Sequence, residues 1–183
     1  MEIQFLGGTT FEAKGKKARI AFNMDKSPAR KDADIATRSD FKGLEAEMHE
    51  DVKKFISLPG EYEVSGVLAK GLLSGTNIIY KIVLDATSIA HFGNLEGQPA
   101  NDLLKELGDV DIALINASEK FNEKEVKKLI ETIDPRMAII GGDQALFPKI
   151  TTECLAQTAE KNPLVIKKSE LSDDVTNVLI LPV

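Results

Sequence analysis

Apolar residues along the first half of the chain fall into short runs separated by turn-forming residues. Ile3 and Phe5 alternate with polar neighbours and lead into Gly7-Gly8, the pattern of a short strand ending in a turn. Thr9 to Ala13 and Ala18 to Asn23 are two further strand-like runs, joined by the turn-prone Lys14-Gly15-Lys16. Ala33 to Thr37 is another short apolar segment. Phe55 to Leu58 precedes a Pro59-Gly60 turn, after which Tyr62, Val64 and Val67 read as one strand interrupted by Gly66. Thr76 to Leu84 and Ser88 to Phe92 form a pair of strands about Asp85-Ala86-Thr87.

After Gly93 the spacing changes. Asp102 to Leu107 reads as a short helix with Leu103, Leu104 and Leu107 on one face, stopped by Gly108. Val110 to Ile115 is continuously apolar, as in a strand covered on both faces. Asn122 is placed to cap a helix whose buried stripe is Val126, Leu129, Ile130 and Ile133. Asp134-Pro135 ends it, and Met137 to Ile140 is another buried strand. Thr151 to Lys161 reads as helical, while Leu164 to Ile166 and Asn177 to Leu181 read as strands. The expected order is antiparallel strands first, then alternating strand and helix. Two sheets packed face to face with helices outside accommodate it, an α/β (α+β) architecture. No low-complexity linker interrupts the chain, so residues 1–183 are expected to form one domain.

Composition narrows the function classes. Hydrophobic residues make up 43% and charged residues 28%, too apolar for a disordered chain and ordinary for a folded one. The net charge of −6, without a dense Lys/Arg run, argues against a partner bound through nucleic-acid phosphates. Cys154 stands alone, which excludes an internal disulfide and a zinc site built on several cysteines. Met1 to Leu6 has the pattern of a strand rather than a signal peptide, and no apolar run approaches membrane-spanning length. A cytoplasmic location without membrane association is the expectation.

Several segments, in order, resemble a known family. Met1-Glu2-Ile3-Gln4-Phe5-Leu6-Gly7-Gly8-Thr9 resembles the opening of small metallo-β-lactamase-fold hydrolases, a strand followed by Leu-Gly-His-Ser. Arg19-Ile20-Ala21-Phe22-Asn23 resembles the next strand, which ends there in Ile-Asp-Pro. Ala33-Asp34-Ile35-Ala36-Thr37 sits where the family has the strand leading into His-x-His-x-Asp-His. The most specific match is Leu58 to Val67, similar to a Gly-Glu-Tyr-Glu-Val-x-Gly segment in a subgroup of small members described as zinc-dependent hydrolases. His91-Phe92-Gly93-Asn94-Leu95 resembles the later His-x-Gly-Asp motif, and Asp134 to Gly142 the strand that delivers the last histidine. With Thr176 to Pro182 as the closing strand, the resemblance is collinear over nearly the whole chain. It implies an αββα four-layer sandwich of the metallo-β-lactamase type, with the site at one edge between the sheets.

The resemblance also implies a metal site, and the donors for it are missing. A hydrolytic zinc site needs about three to four converging nitrogen or oxygen donors with one position open. The donor-rich loop matches Arg38-Ser39-Asp40-Phe41-Lys42-Gly43, which holds no histidine. Arg38 places a fixed positive charge where a ligand belongs. The other ligand positions match Gly8, Asn23 (with Asp25 two residues on), Asn94 and Gly142 (with Asp143 beside it). Histidine occurs twice in the chain, as His49 and His91, so the family's two-zinc set cannot be assembled.

The vestigial site edge is therefore expected to comprise Gly8, Asn23, Asp25, Arg38, Asp40, His91, Asn94, Gly142 and Asp143, with no metal and no cofactor. Ordinary readings stand beside these. His91 serves as a structural residue holding its adjacent turn, and His49 as a solvated residue in a polar run. Asp25, Asp40 and Asp143 serve in turns and caps, although together they offer carboxylates to a hard cation. A buried Arg38 requires one of those three acids as an internal partner, unless it marks an anion pocket. Glu61 and Glu63 share a strand face, Cys154 reads as a buried thiol, and Gly7-Gly8 and Gly141-Gly142 lack the context of a phosphate loop. The expected function is that of a metal-free member of the fold that binds an unknown small molecule or protein. The competing readings are a hydrolase of a small ester, lactone or phosphoester with an atypical carboxylate site, and an assembly role as a homo-oligomer.

Overall fold

The computed structural model describes residues 1–24, 32–41 and 52–183. Its strands and helices run β1 (Glu2–Phe5), β2 (Phe11–Lys14), β3 (Arg19–Phe22), β4 (Ile35–Thr37), β5 (Lys54–Ile56), β6 (Gly60–Val64), β7 (Val67–Ser74), β8 (Asn77–Leu84), β9 (Thr87–His91), α1 (Asn101–Leu107), β10 (Ile112–Ala117), α2 (Glu123–Ile133), β11 (Met137–Gly142), α3 (Phe147–Cys154), β12 (Gln157–Thr158), β13 (Leu164–Val165) and β14 (Asn177–Ile180). The described strands form two sheets. One is six-stranded in the order β13-β1-β2-β3-β4-β5, and the other is eight-stranded in the order β12-β14-β11-β10-β9-β8-β7-β6.

The apolar alternation read from the sequence decides which faces meet. Ile3, Phe5, Phe11, Ile20, Phe22 and Ile35 of the first sheet pack against Ile78, Tyr80, Ile82, Ile112, Leu114 and Ile139 of the second, all of them fully or almost fully buried. On its other face the second sheet carries Ile79, Ala113, Ile115 and Ile140, which pack beneath Leu107 of α1, Val126 and Leu129 of α2 and Ile150 of α3. Both faces of β10 and β11 are thus covered, which is why these two strands read as unbroken apolar runs. The outer face of the first sheet bears a smaller apolar cluster of Ala21, Met24, Ala33, Ala36, Val52 and Phe55. A helical layer over that face, which a four-layer sandwich needs, is not among the described residues. No described helix is long and apolar enough to cross a membrane.

Three expectations are corrected. The early strands are not all antiparallel: β3 pairs with β4 and β4 with β5 in parallel. Tyr62 to Val67 is not one interrupted strand. Ser65 and Gly66 both take positive φ, 54° and 74°, the conformation of a tight two-residue hairpin turn, and the chain returns as β7, with Glu61 opposite Lys70 and Val64 opposite Val67. The last helix begins at Phe147 rather than Thr151, because Pro148 is suited to a first turn. It ends when Leu155 adopts the left-handed conformation, φ 52°, so the segment up to Lys161 is not helical. The helix read after Asn122 stands as expected: the Asn122 side chain accepts from the backbone N–H of Lys124 and Glu125.

Candidate functional site

The ends of β3 and β4 and of β9, β10 and β11 meet at one edge of the sandwich, beside the turn that joins β1 to β2. Asn23 follows β3 with φ 51°, a left-handed conformation that asparagine tolerates. It is buried, and its polar atoms are engaged on three sides. Its backbone N–H donates to Thr37 Oγ1 at 3.2 Å, and its Oδ1 accepts from the Ser39 backbone N–H at 3.0 Å. Its Nδ2 donates to Thr9 Oγ1 at 2.7 Å and to Asn94 Oδ1 at 3.2 Å. Asn94 lies just beyond β9, so this side chain ties the two sheets together.

A second asparagine continues the network. The Asn94 backbone N–H donates to Asn77 Oδ1 at 2.7 Å, and Asn77 Nδ2 donates to the Phe92 carbonyl at 3.0 Å. Gly93 makes this close approach possible. A Cβ there would collide with the Asn77 amide and the Ser39 side chain, and its φ of 63° also favours glycine. Asn116, on β10, holds the opposite side. Its Nδ2 lies 3.2 Å from the Thr9 carbonyl, 3.1 Å from the Gly93 carbonyl and 3.3 Å from His91 Nε2.

His91 backs this network through Asn116. Its ring is fully buried between Phe11 and Phe22, with ring centroids 5.9 Å and 5.4 Å away. Burial penalises the imidazolium and pushes its pKa down to about 3, against a smaller opposing effect from the Thr9 backbone. Its Nε2 lies 3.3 Å from Asn116 Nδ2, and its Nδ1 has no hydrogen-bond partner among the described residues.

In front of the network is a cleft of about 320 Å³. Thr9, Asn23, Arg38 and Asp40 contribute from the first sheet, and Thr76, Asn77, Asn94 and Glu96 from the second. Of the residues singled out in the sequence, Asn23, Arg38, Asp40 and Asn94 are thus brought together. Arg38 donates from Nε to the backbone carbonyl of Asp40 at 3.1 Å. Gly8 is an exposed turn residue with φ 58° and open space where a Cβ would stand. Gly142 ends β11 with φ 97°, and there a Cβ would overlap the Ala117 carbonyl oxygen and lie 2.7 Å from the Ala117 nitrogen. Asp143 does not line the cleft: it is exposed, and its Oδ1 accepts from the Ala145 N–H at 2.9 Å as a cap. Asp25 and His49 lie outside the described residues.

Sequence reasoning passed over Thr9, Asn77, Glu96 and Asn116. A usable signal existed for Asn116, the polar member of the otherwise apolar strand Ile112–Ala117, since a buried amide in such a run must have partners. Asn77 opens β8 directly after a turn and Glu96 lies in a loop, where polar residues are unremarkable.

The profile of the beta-lactamase superfamily domain matches residues 2–140. No curated protein matches. Among solved structures, the chain is similar to a metallo-beta-lactamase superfamily protein of Thermotoga maritima, with 20% identity, a TM-score of 0.75 and all of both chains covered. It is also similar to the metallo-beta-lactamase fold protein YhfI of Bacillus subtilis, with 7% identity and a TM-score of 0.66 over 99% of this chain and 96% of that one. Igni18, a metallo hydrolase of the archaeon Ignicoccus hospitalis, aligns with 14% identity and a TM-score of 0.61 over 88% of this chain and 95% of that one. At these identities the likeness is one of fold.

The described residues at the site do not fit the metal that this fold implies. Both polar atoms of the Asn23 amide are committed within the protein, and Asn94 Oδ1 already accepts from Asn23. Gly142 has no room for a donor side chain. Among the described residues, no three His, Cys, Asp or Glu side chains are grouped to hold a metal ion.

Proposed function

The chain belongs to the beta-lactamase superfamily, and we propose that it is a metal-free binding member, holding a small polar molecule in the cleft between Arg38 and Asn94. The observation that carries this reading is the position of Asn23. In place of converging donors with one open coordination position, the site has an amide that joins Thr9, Ser39 and Asn94 into a closed hydrogen-bonded unit. That unit performs the cross-linking between sheets that a metal would otherwise supply, and it needs no ion to satisfy it. Buried polar networks of this kind stabilise where their members find partners, as both polar atoms of the Asn23 amide do.

A hydrolase working through carboxylates draws less support. Its three acids would have to converge, and Asp143 is spent on capping the turn at Ala145, away from the cleft that Asp40 lines. Metal content tests the reading directly. Protein purified without a metal-affinity tag should hold zinc well below one equivalent and gain none on exposure to zinc followed by dialysis. Near-equimolar zinc that survives dialysis and is lost on Asp40→Ala or Asp143→Ala would overturn it.

A further inference from the structure

We infer that the cleft takes a neutral, polyhydroxylated small molecule of about monosaccharide size. This rests on the reading of the cleft as a metal-free binding site and names the class of its ligand. The volume of about 320 Å³ falls at the lower end of small-molecule pockets.

The floor offers both donors and acceptors without net charge. Asn94 has its Oδ1 occupied by Asn23, so its Nδ2 hydrogens point the network outward, and no described residue accepts them. Thr9 Oγ1 accepts from Asn23, which leaves its own O–H to donate. At the rim, Arg38 stands with Asp40 and Glu96, and Glu96 is itself paired with Lys120 at 2.5 Å. Carboxylates on both sides oppose an anion, and Arg38 opposes an ammonium. Arg38 and Asp40 offset one another and Lys120 offsets Glu96, which favours an uncharged guest.

A buried acceptor provides the second observation. An adjoining lobe shares Thr9, Asn94 and Glu96 with the cleft and is also lined by Asn116. The Asn116 side chain is buried, its Nδ2 lies within 3.3 Å of three polar atoms, and its Oδ1 has no hydrogen-bond partner among the described residues. An unsatisfied buried acceptor is costly. A hydroxyl entering past Thr9 would donate to it. Hydroxyls are the groups that both give and accept, and several of them on adjacent carbons match the alternation of Asn94, Thr9, Asn116 and the two rim carboxylates.

Titrations followed by amide nuclear magnetic resonance test this with myo-inositol, D-glucose and D-ribose as probes, and inorganic phosphate and putrescine as charged competitors. At least one neutral probe should produce saturable shifts at the side-chain amides of Asn94 and Asn116 and at the Thr9 backbone. Asn94→Leu should weaken it by about tenfold, as expected for the loss of hydrogen bonds to a ligand. Glu96→Ala, at an exposed position that the fold tolerates, should weaken it similarly, while Lys105→Ala on α1 should leave it unchanged. Saturation by phosphate or putrescine in preference to the neutral probes, or no saturable shift with any probe, would overturn the ligand class. Either result in a protein free of zinc leaves the metal-free reading intact, whereas stoichiometric zinc defeats that reading itself.

Discussion

Asn23 and Asn94 meet across the two sheets, with Asn23 Nδ2 donating to Asn94 Oδ1 at 3.2 Å. The two residues do not carry equal weight. Asn23 is buried and serves Thr9 and Ser39 as well, whereas Asn94 is exposed and its amide can turn to water. Asn23→Ala strands the Ser39 N–H and should lower stability by about 2–4 kcal/mol, the cost of leaving buried polar groups unpaired. Asn94→Ala should cost about 1 kcal/mol or less. Urea unfolding of the two variants measures the difference, and equal losses would show that Asn23 is not the centre of the network.

The two glycines that the resemblance matches to ligand positions should respond differently to substitution. Gly8 has open space around its Cβ direction, so Gly8→Ala bears only the left-handed backbone penalty, about 1–2 kcal/mol. Gly142 bears that penalty and a collision with the Ala117 backbone on the neighbouring strand. Gly142→Ala should therefore destabilise by about 3 kcal/mol or more, and Gly142→His should not create a zinc ligand without moving β10 from β11. Thermal melts of Gly8→Ala and Gly142→Ala, with zinc added to Gly142→His, check both points. Similar melting temperatures for the two alanine variants would contradict this.

The sheets were legible because burial is written into the sequence as period and run length. Ile3 and Phe5 alternate because β1 has one face toward the core, while Ile112–Ala117 is unbroken because helices cover its far side. The hairpin after Val64 was less legible, because Ser65 carries no mark of the positive φ that it adopts. α3 starts ahead of Thr151 because proline, which breaks a helix interior, is suited to the first turn that Pro148 occupies. At the site, the collinear motifs located Asn23, Arg38, Asp40 and Asn94 but not their partners. Thr9 comes from the turn between β1 and β2, Asn77 from the start of β8 and Asn116 from the end of β10, and only the folded register brings them together. Asp143 failed as a cleft residue because local capping competes for its carboxylate, a use that sequence spacing with Ala145 allows but does not announce.

Cys154 should react slowly. Burial at the end of α3 pushes its thiol up to about 11, with Lys127 opposing the shift. The thiolate fraction near pH 8 is then roughly two orders of magnitude below that of an unperturbed cysteine. Alkylation by iodoacetamide in native buffer should be slower by about that factor than in concentrated urea. Comparable rates in the two conditions would show that the thiol is open to solvent.

His91 gives the site edge a pH dependence whose sign follows from burial. In the unfolded chain an ordinary histidine titrates near 6.5, whereas the folded protein holds this one at about 3 because the imidazolium loses its solvation between Phe11 and Phe22. Between those values the unfolded state binds a proton that the folded state refuses. Stability from this residue is thus fully present above about pH 6.5 and declines as pH falls toward 3, by up to about 1.4 kcal/mol per pH unit. His91→Gln keeps a neutral side chain able to hydrogen-bond with Asn116 while removing the titration, and the carboxylates contribute equally to both proteins. The difference in unfolding free energy between wild type and His91→Gln should therefore shrink steadily from pH 6.5 to pH 4, even though the variant is the less stable of the two at neutral pH. The imidazole carbon-bound proton resonance that disappears in His91→Gln should show no titration between pH 8 and pH 5 in the folded protein. A midpoint near 6.5 for that resonance, or parallel stability profiles for the two proteins, would place His91 in contact with solvent and remove it from the buried wall behind Asn116.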